Sequence, residues 1–449
     1  MAHLQTVRDP DLSLWQSAVD EVVASNSTRS QSTGEAAVIQ RPDHPNFMEQ
    51  SAAADVCAEV AGSPIEVPPP GGPVITEGVG AFVNYCSKMA RDYAGALIRG
   101  DHAAADAARL AFSEYQQCDN GWLEVAAKYA EFQGKAALGA KIPYQVYKNI
   151  DTDYVFDDKL PADATVAIVA DWGTGQQAAI HVLAQIARKK PDVVIHLGDI
   201  YYSCTDFEVT NYFLNIWKQY FDPAKIPSLT LSGNHDMYSG GQPYYNLIKQ
   251  LGWESSYNCL RNDHWQLIML DTGLHDRTPG SCDPTYLEDT EVAWVKRRYE
   301  LASKARDGSD LASPRKSILL SHHQLYTRYD HIIDGRPELA INPHLQDQLG
   351  SVLSQTAAWL WGHEHDMVIF KQTLGVLGRC IGNGAMPVLA SQAHTNPTHP
   401  EIQDEGVRPT ANGPFLSNGY AILKLNGPTA TIDYYSDADP STPVWTDHL

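Results

Sequence analysis

The chain has 449 residues, with 33 Lys and Arg against 54 Asp and Glu for a net charge of −21, and 43% of it is hydrophobic. That length suits two domains better than one and supplies enough apolar sequence for a large core. The acidity excludes the basic stripe of a general nucleic-acid binder and argues against anionic membrane surfaces, so an anionic substrate needs a local cationic focus.

In chain order, the start MAHLQTVRDPDLSLW has no basic region leading into an apolar stretch. A signal peptide is therefore not expected. No window approaches about 18 uncharged apolar residues, so no transmembrane helix is expected either. Residues 10–24 read as an amphipathic helix with Leu12, Trp15, Ala18, Val19 and Val22 on one face. Residues 25–72 are rich in Ser, Thr, Pro and Ala and end in Pro68-Pro69-Pro70-Gly71-Gly72, a linker or arm. Residues 79–138 are Ala-rich with helical spacing, and Gly100-Asp101 and Asp119-Asn120-Gly121 separate three helices. Residues 1–72 thus form a helix and arm, and 73–150 a small helical domain that is a candidate protein-interaction module. The seven cysteines (57, 86, 118, 204, 259, 282, 380) are scattered without a CxxC spacing. They read as reduced thiols, and the expected location is cytoplasmic, or exported if a leader has been removed.

From about residue 163 strands and helices alternate. TVAIVA (165–170), DVVIHL (192–197), PSLTLS (227–232), WQLIMLDT (265–272), KSILLS (316–321) and AAWLW (357–361) are near-continuous apolar runs. Helices are expected near 177–189, 206–220, 287–305 and 344–356. GYAILKLNGPTATIDYYS is two alternating runs around Asn426-Gly427, a hairpin signal. The fold class is α/β, with sheets covered on both faces and antiparallel strands toward the C-terminus.

Five motifs recur along this region: Asp171-Trp172-Gly173, Gly198-Asp199-Ile200-Tyr201-Tyr202, Gly233-Asn234-His235-Asp236, Ser321-His322-His323 and Gly362-His363-Glu364-His365. Nearly all directly follow an apolar run, which places carboxylates, an amide, imidazoles and a phenol at successive strand ends. Hard oxygen and borderline nitrogen donors of this kind hold two metal ions, and such pairs hydrolyse phosphate esters. Asp199 is the simplest bridging carboxylate, and Glu364 or Asp366 is suited to hold a ligating imidazole. His323 reads as supporting rather than catalytic. Tyr201, Tyr238, Tyr244, Tyr245, Tyr326 and Tyr329 follow motif strands and either stack a base at a pocket mouth or pack the loops; packing is the simpler reading.

The set resembles the motifs of calcineurin-like metallophosphoesterases, and specifically the purple acid phosphatase branch. The wider family mostly begins Asp-x-His, whereas Gly173 here cannot ligate. Purple acid phosphatases fill that gap with a Tyr three residues after the bridging Asp, which is Tyr202. Asp-Trp-Gly is also similar to the small tartrate-resistant acid phosphatases. The resemblance implies a four-layer αββα sandwich over about 163–436, with an N-terminal helical extension and a C-terminal tail at 437–449. It implies two metal ions: Fe(III) held by Asp171, Tyr202, His365 and the bridging Asp199, and Fe, Zn or Mn held by Asp199, Asn234, His322 and His363. A phenolate prefers a hard trivalent ion, which supports iron at the Tyr202 site. It further implies attack by a metal-bound hydroxide, with His235 assisting the leaving oxygen and Asp236 orienting it. His331, nine residues after His322, falls where tartrate-resistant enzymes carry a second substrate-facing His. The chain departs from the pattern at Gln324, where many relatives have Pro, in its helical N-terminus, and in its missing secretion signal.

The expected function is phosphomonoester hydrolysis of the acid phosphatase type on a small phosphorylated substrate. A phosphodiesterase or nucleotide hydrolase on the same site is the nearest rival. A metal-binding interaction protein with a vestigial site is the third reading, motivated by the N-terminal region.

Overall fold

The apolar runs of the second half become strands buried on both faces. The structure is a computed structural model, and it describes Phe132 and residues 141–449 except 277–283, 331, 334–337, 387, 389, 391–395 and 413–414. The expected N-terminal amphipathic helix, the arm and most of the helical segment lie outside the described residues, as does His331. Residues from Lys141 to Leu449 belong to one compact unit. Among the described residues no helix is long and apolar enough to cross a membrane.

Two large sheets carry the unit. The first has six strands in the order Trp445–His448, Thr429–Ser436, Gly419–Asn426, Thr165–Val169, Val193–His196 and Ser228–Thr230. Its last three strands are parallel to one another. The second has seven, in the order Val155–Phe156, Asn258–Arg261, Trp265–Met269, Lys316–Leu320, Thr356–Trp361, Leu377–Ile381 and Met367–Ile369. Here Trp265–Met269, Lys316–Leu320 and Thr356–Trp361 are parallel.

Strand alternation sorts the second sheet's side chains into two cores. Leu267, Ile318, Leu320 and Leu360 join Ile168, Ile195 and Leu423 of the first sheet in one cluster. Their neighbours Ile268, Leu319, Trp359 and Trp361 point the other way and pack with Trp294, Val295, Leu349 and Val352. Those last four belong to helices Asp289–Glu300 and Pro343–Leu353. The period of two therefore puts sheet on sheet inside and helices outside. Helix Gln177–Arg188 buries Ala179, Val182, Leu183 and Ile186, spaced by three and four as a helix stripe requires. Asn342 starts the helix at Pro343 by accepting the N–H groups of His344 and Leu345. The expected hairpin closes with Asn426 opposite Thr429.

Five strands of the two large sheets were not expected from the sequence: Val155–Phe156, Asn258–Arg261, Met367–Ile369, Leu377–Ile381 and Trp445–His448. The last lies within the expected tail and pairs with Thr429–Ser436. It is fixed by a buried pair, in which Arg379 donates to both carboxylate oxygens of Asp447 at 2.7 and 2.8 Å. This bidentate bond ties the two sheets together. The expected helix at 206–220 is composite: α-helical at Asp206–Glu208, π-helical at Val209–Leu214 and α-helical again at Asn215–Tyr220. The described thiols of Cys204, Cys259 and Cys380 are free and buried.

Candidate metal centre

Parallel strands put their C-terminal ends on one side, and the motifs sit there. Asp171 follows Thr165–Val169, Asp199 follows Val193–His196, and Asn234 follows Ser228–Thr230. His322 and His363 follow Lys316–Leu320 and Thr356–Trp361 of the other sheet. Three of these residues leave their strands in the left-handed region: Asp171 at φ +52°, Asp199 at +72° and His363 at +68°. Unusual backbone of this kind is held by its surroundings and concentrates at functional sites. The loops also approach closely. A Cβ on Gly198 would lie 2.8 Å from the Gly233 nitrogen and 3.0 Å from Nδ1 of His322. One on Gly173 would lie 2.8 Å from the Asp199 carbonyl oxygen, so the third position of this motif has no room for a histidine.

The donors converge. Nε2 of His322 is 3.0 Å from Oδ1 of Asn234 and 3.4 Å from Oδ2 of Asp199. Nδ1 of His363 is 3.1 Å from the same Asn234 oxygen and 3.3 Å from Nε2 of His322. The Asn234 amide is oriented by its own NH₂, which donates to the Tyr238 hydroxyl at 2.6 Å. Nδ1 of His322 faces the Leu197 carbonyl at 3.0 Å, so it carries a proton. His322 is thus held by a backbone carbonyl and not by Glu364 or Asp366. Glu364 is buried, and neither of its carboxylate oxygens has a hydrogen-bond partner among the described residues.

This donor set fits metal ions. The lone pair on Nε2 of His322 points at an amide oxygen and a carboxylate, acceptors facing an acceptor, which only a proton or a cation reconciles. Burial works against a charged His322, but the Asp199 and Asp171 carboxylates overcome it and push its pKa up to about 9. The field that holds that proton would hold a metal cation in its place. Burial together with the neighbouring imidazoles keeps His363 neutral, its pKa well below the ordinary value. Against the cost of burial, His322 and His235 hold the Asp199 carboxyl low, and His322 and His365 do the same for Asp171. Ligand atoms of Asp171, Asp199 and His322 lie within 4.8 Å of one another.

On the other side of Asp199 the phenol is a finding. The Tyr201 hydroxyl is 2.8 Å from Oδ1 of Asp171 and 2.8 Å from Nε2 of His365. The backbone of Tyr202, the residue expected there by offset, is engaged beside it: its N–H donates to Glu208 and its carbonyl accepts from Nδ1 of His235 at 2.7 Å. Which of the two neighbouring phenols lies against Asp171 depends on the local backbone, and residue spacing carries no signal for it. Tyr238, Tyr244, Tyr245 and Tyr326 are buried, so they pack the loops and do not line a mouth.

His235 lies beside Asp199, with Nε2 3.9 Å from Oδ2 and its backbone N–H donating to Oδ1 at 3.1 Å. Its orientation comes from the Tyr202 carbonyl. Asp236 was expected to orient it and instead binds three backbone N–H groups, those of Gly233 at 2.7 Å, Asp199 at 3.0 Å and Ile200 at 3.2 Å. It clamps the two motif loops together. Burial and the Asp199 carboxylate push its pKa up to about 7.

Residues 164–367 match the profile described as calcineurin-like phosphoesterase. No curated protein matches the chain. Among solved structures it is similar to GAP50, the anchor in the inner membrane complex of Plasmodium, at 14% identity and a TM-score of 0.43 over 64% of this chain and 88% of that one. It is also similar to a dimetal phosphatase from Danio rerio, at 13% identity and a TM-score of 0.40 over 61% of this chain and 96% of that one.

Proposed function

We propose that the domain is a dinuclear metal-dependent phosphoric ester hydrolase that cleaves small phosphomonoesters in the manner of an acid phosphatase. The observation that supports this most is the meeting of Asn234, His322 and His363 within 3.3 Å, beside the carboxylates of Asp199 and Asp171. Asp199, Asn234, His322 and His363 would hold one ion, of Fe, Zn or Mn. Asp171, His365, Asp199 and a phenol, from Tyr201 by position or Tyr202 by motif, would hold the other, and the phenol favours Fe(III). When bound, the pair supplies Lewis-acid neutralisation of phosphoryl oxygens and makes hydroxide available near neutral pH.

The chain's own residues orient and protonate. Because Nδ1 of His235 donates to the Tyr202 carbonyl, Nε2 is the nitrogen turned toward Asp199 and the reacting phosphoryl; burial lowers the pKa of this imidazole, so Nε2 would carry a proton for the leaving oxygen only in the imidazolium form that acidic pH favours. Asp236 keeps Asp199 and Gly233 at a fixed separation, so that the carboxylate is presented without reorganisation. Asp171, Asp199, Asn234 and His235 are each buried, whereas His365 is 23% exposed and marks the open side.

The test is initial rates on an aryl phosphomonoester and the matching diester, side by side, for iron-loaded protein across about pH 4–9. Monoester preference with an acidic optimum supports this reading. A diester preference would replace it with a phosphodiesterase or nucleotide hydrolase. Bound metal with neither ester cleaved would leave an interaction protein.

A further inference from the structure

His323 belongs to the motif set and has no part in the chemistry above. Its ring is buried and lies 4.5 Å from that of His363 and 4.8 Å from that of His322, centroid to centroid. Its ligand atom is within 4.8 Å of theirs, close enough to compete for an ion. Both its nitrogens, however, are already engaged. The Thr272 hydroxyl oxygen accepts the His323 backbone N–H at 3.0 Å and is 3.0 Å from Nδ1. Nε2 is 3.1 Å from Oδ2 of Asp276, itself buried. The Asp276 carboxylate can only accept, so Nε2 carries the proton, and Nδ1 of the neutral ring is left to accept the Thr272 hydroxyl hydrogen. That arrangement leaves His323 one tautomer and one ring plane.

Thr272 and Asp276 lie in the loop after Trp265–Met269, which carries none of the five motifs. The same loop grips a second ligand-bearing turn. The Ser232 hydroxyl donates to Asp271 and accepts the Gly273 N–H at 3.2 Å, and Ser232 leads directly into Gly233-Asn234. The loop is closed on itself by Leu274 N–H donating to Asp271 at 3.1 Å and Asp276 N–H to the Gly273 carbonyl at 3.0 Å. It therefore braces Asn234 from one side and, through His323, the imidazoles of His322 and His363 from the other.

We propose that His323, anchored by Thr272 and Asp276, is a positioning residue that sets the ring planes of His322 and His363 before an ion arrives, so that loop 271–276 governs affinity at the Asn234 side of the centre. This rests on the dinuclear reading above and adds to it a control element outside the motifs. Outer partners of ligating histidines act in this way, and their loss weakens metal binding by about 10–100-fold. Asp276→Asn keeps an acceptor for Nε2–H, Asp276→Ala removes it, and Thr272→Val removes the donor to Nδ1 without changing shape.

The experiment is calorimetric titration of metal-free full-length protein with Zn²⁺ alone and with Mn²⁺ alone, alongside thermal melts of the metal-free forms. Asn234→Ala marks which binding step belongs to this side. The expected result is that Asp276→Ala weakens that step by about 10–100-fold and leaves the other in place. Asp276→Asn should recover most of the loss, and Thr272→Val should fall between. The inference is overturned if Asp276→Ala and Thr272→Val both bind at this step as the wild type does. It is equally overturned if both weaken the two steps together with a lower melting temperature, because that is general loosening. Wild-type protein that takes up fewer than two ions refutes the dinuclear reading itself, and the positioning role falls with it.

Discussion

Replacing Asp199 by Asn separates what this residue does for metal binding from what it does for the fold. The side chain keeps its shape, and Oδ1 can still accept the His235 N–H, a bond of 3.1 Å. What is lost is the negative charge, 3.4 Å from Nε2 of His322 and central to both proposed ion sites. In the metal-free protein two effects oppose each other: the His322 imidazolium loses its partner, while the Asp171 and Asp236 carboxyls are relieved of a buried like charge. The metal-free melting temperature should therefore move by only a few degrees. Metal is different. At a free ion concentration of 100 times Kd, each site adds about 2.7 kcal/mol. At about 2 °C per kcal/mol for a domain of this size, that is a rise of about 5 °C per site. Wild-type protein should gain this on loading, and Asp199→Asn should gain little. Activity should fall by at least about 100-fold, since a bridging ligand contributes about 3 kcal/mol or more. Differential scanning calorimetry with and without metal, run beside initial rates, reads both. A variant within tenfold of wild-type activity, or one with the full metal-induced rise, would refute the reasoning.

His235→Ala should lower kcat by about 10²–10⁴-fold with metal content unchanged, and an alkyl phosphate should suffer more than an aryl phosphate with its better leaving group. Asp236→Ala should be the more destabilising of the neighbouring pair, by about 3–5 kcal/mol in denaturant melts, because it strips the acceptor from three buried N–H groups. In iron-loaded protein the phenolate-to-iron absorption should vanish in Tyr201→Phe, whose hydroxyl sits on Asp171 and His365. Its loss in Tyr202→Phe instead would restore the offset expected from the motif. Glu291 gives a pH prediction: burial, with Asp271 beside it, raises its pKa well above the ordinary value. The folded state then holds a proton that the unfolded chain releases near its ordinary pKa. Stability is lost as pH rises from there toward the folded pKa. Glu291→Gln removes this slope, so its stability relative to wild type should grow with pH over about 4.5–8 in chemical denaturation.

The parts legible in the sequence are those governed by local pattern. Runs such as TVAIVA and KSILLS could only be covered strands, and the turn residues after them fixed where polar side chains would emerge. Hence Asp171, Asp199, Asn234, His322 and His363 stand out in the sequence alone. The Asn426-Gly427 hairpin was readable for the same reason. What was not legible depends on contacts across the chain. Thr272 and Asp276 look like ordinary loop residues until the parallel pairing of Trp265–Met269 with Lys316–Leu320 brings them to His323. Asp236 follows His235 in sequence, which suggested a partnership, but its carboxylate turns toward the loops of the neighbouring strands. Strand Trp445–His448 is short and polar, and only the Arg379–Asp447 pair and its neighbour Thr429–Ser436 make it a strand. Tyr201 and Tyr202 differ by one position, and hydrophobic pattern does not distinguish which phenol faces the centre.

The most direct test of the central claim is metal stoichiometry measured together with catalysis. Metal-free protein would be reconstituted stepwise, with bound ions per chain and the rate on an aryl phosphate followed in the same samples. Two ions per chain are expected, with negligible rate before loading and a rate that rises as the second ion binds. Full activity in metal-free protein, or two ions bound with no cleavage of either the monoester or the diester, would contradict a dinuclear phosphoesterase.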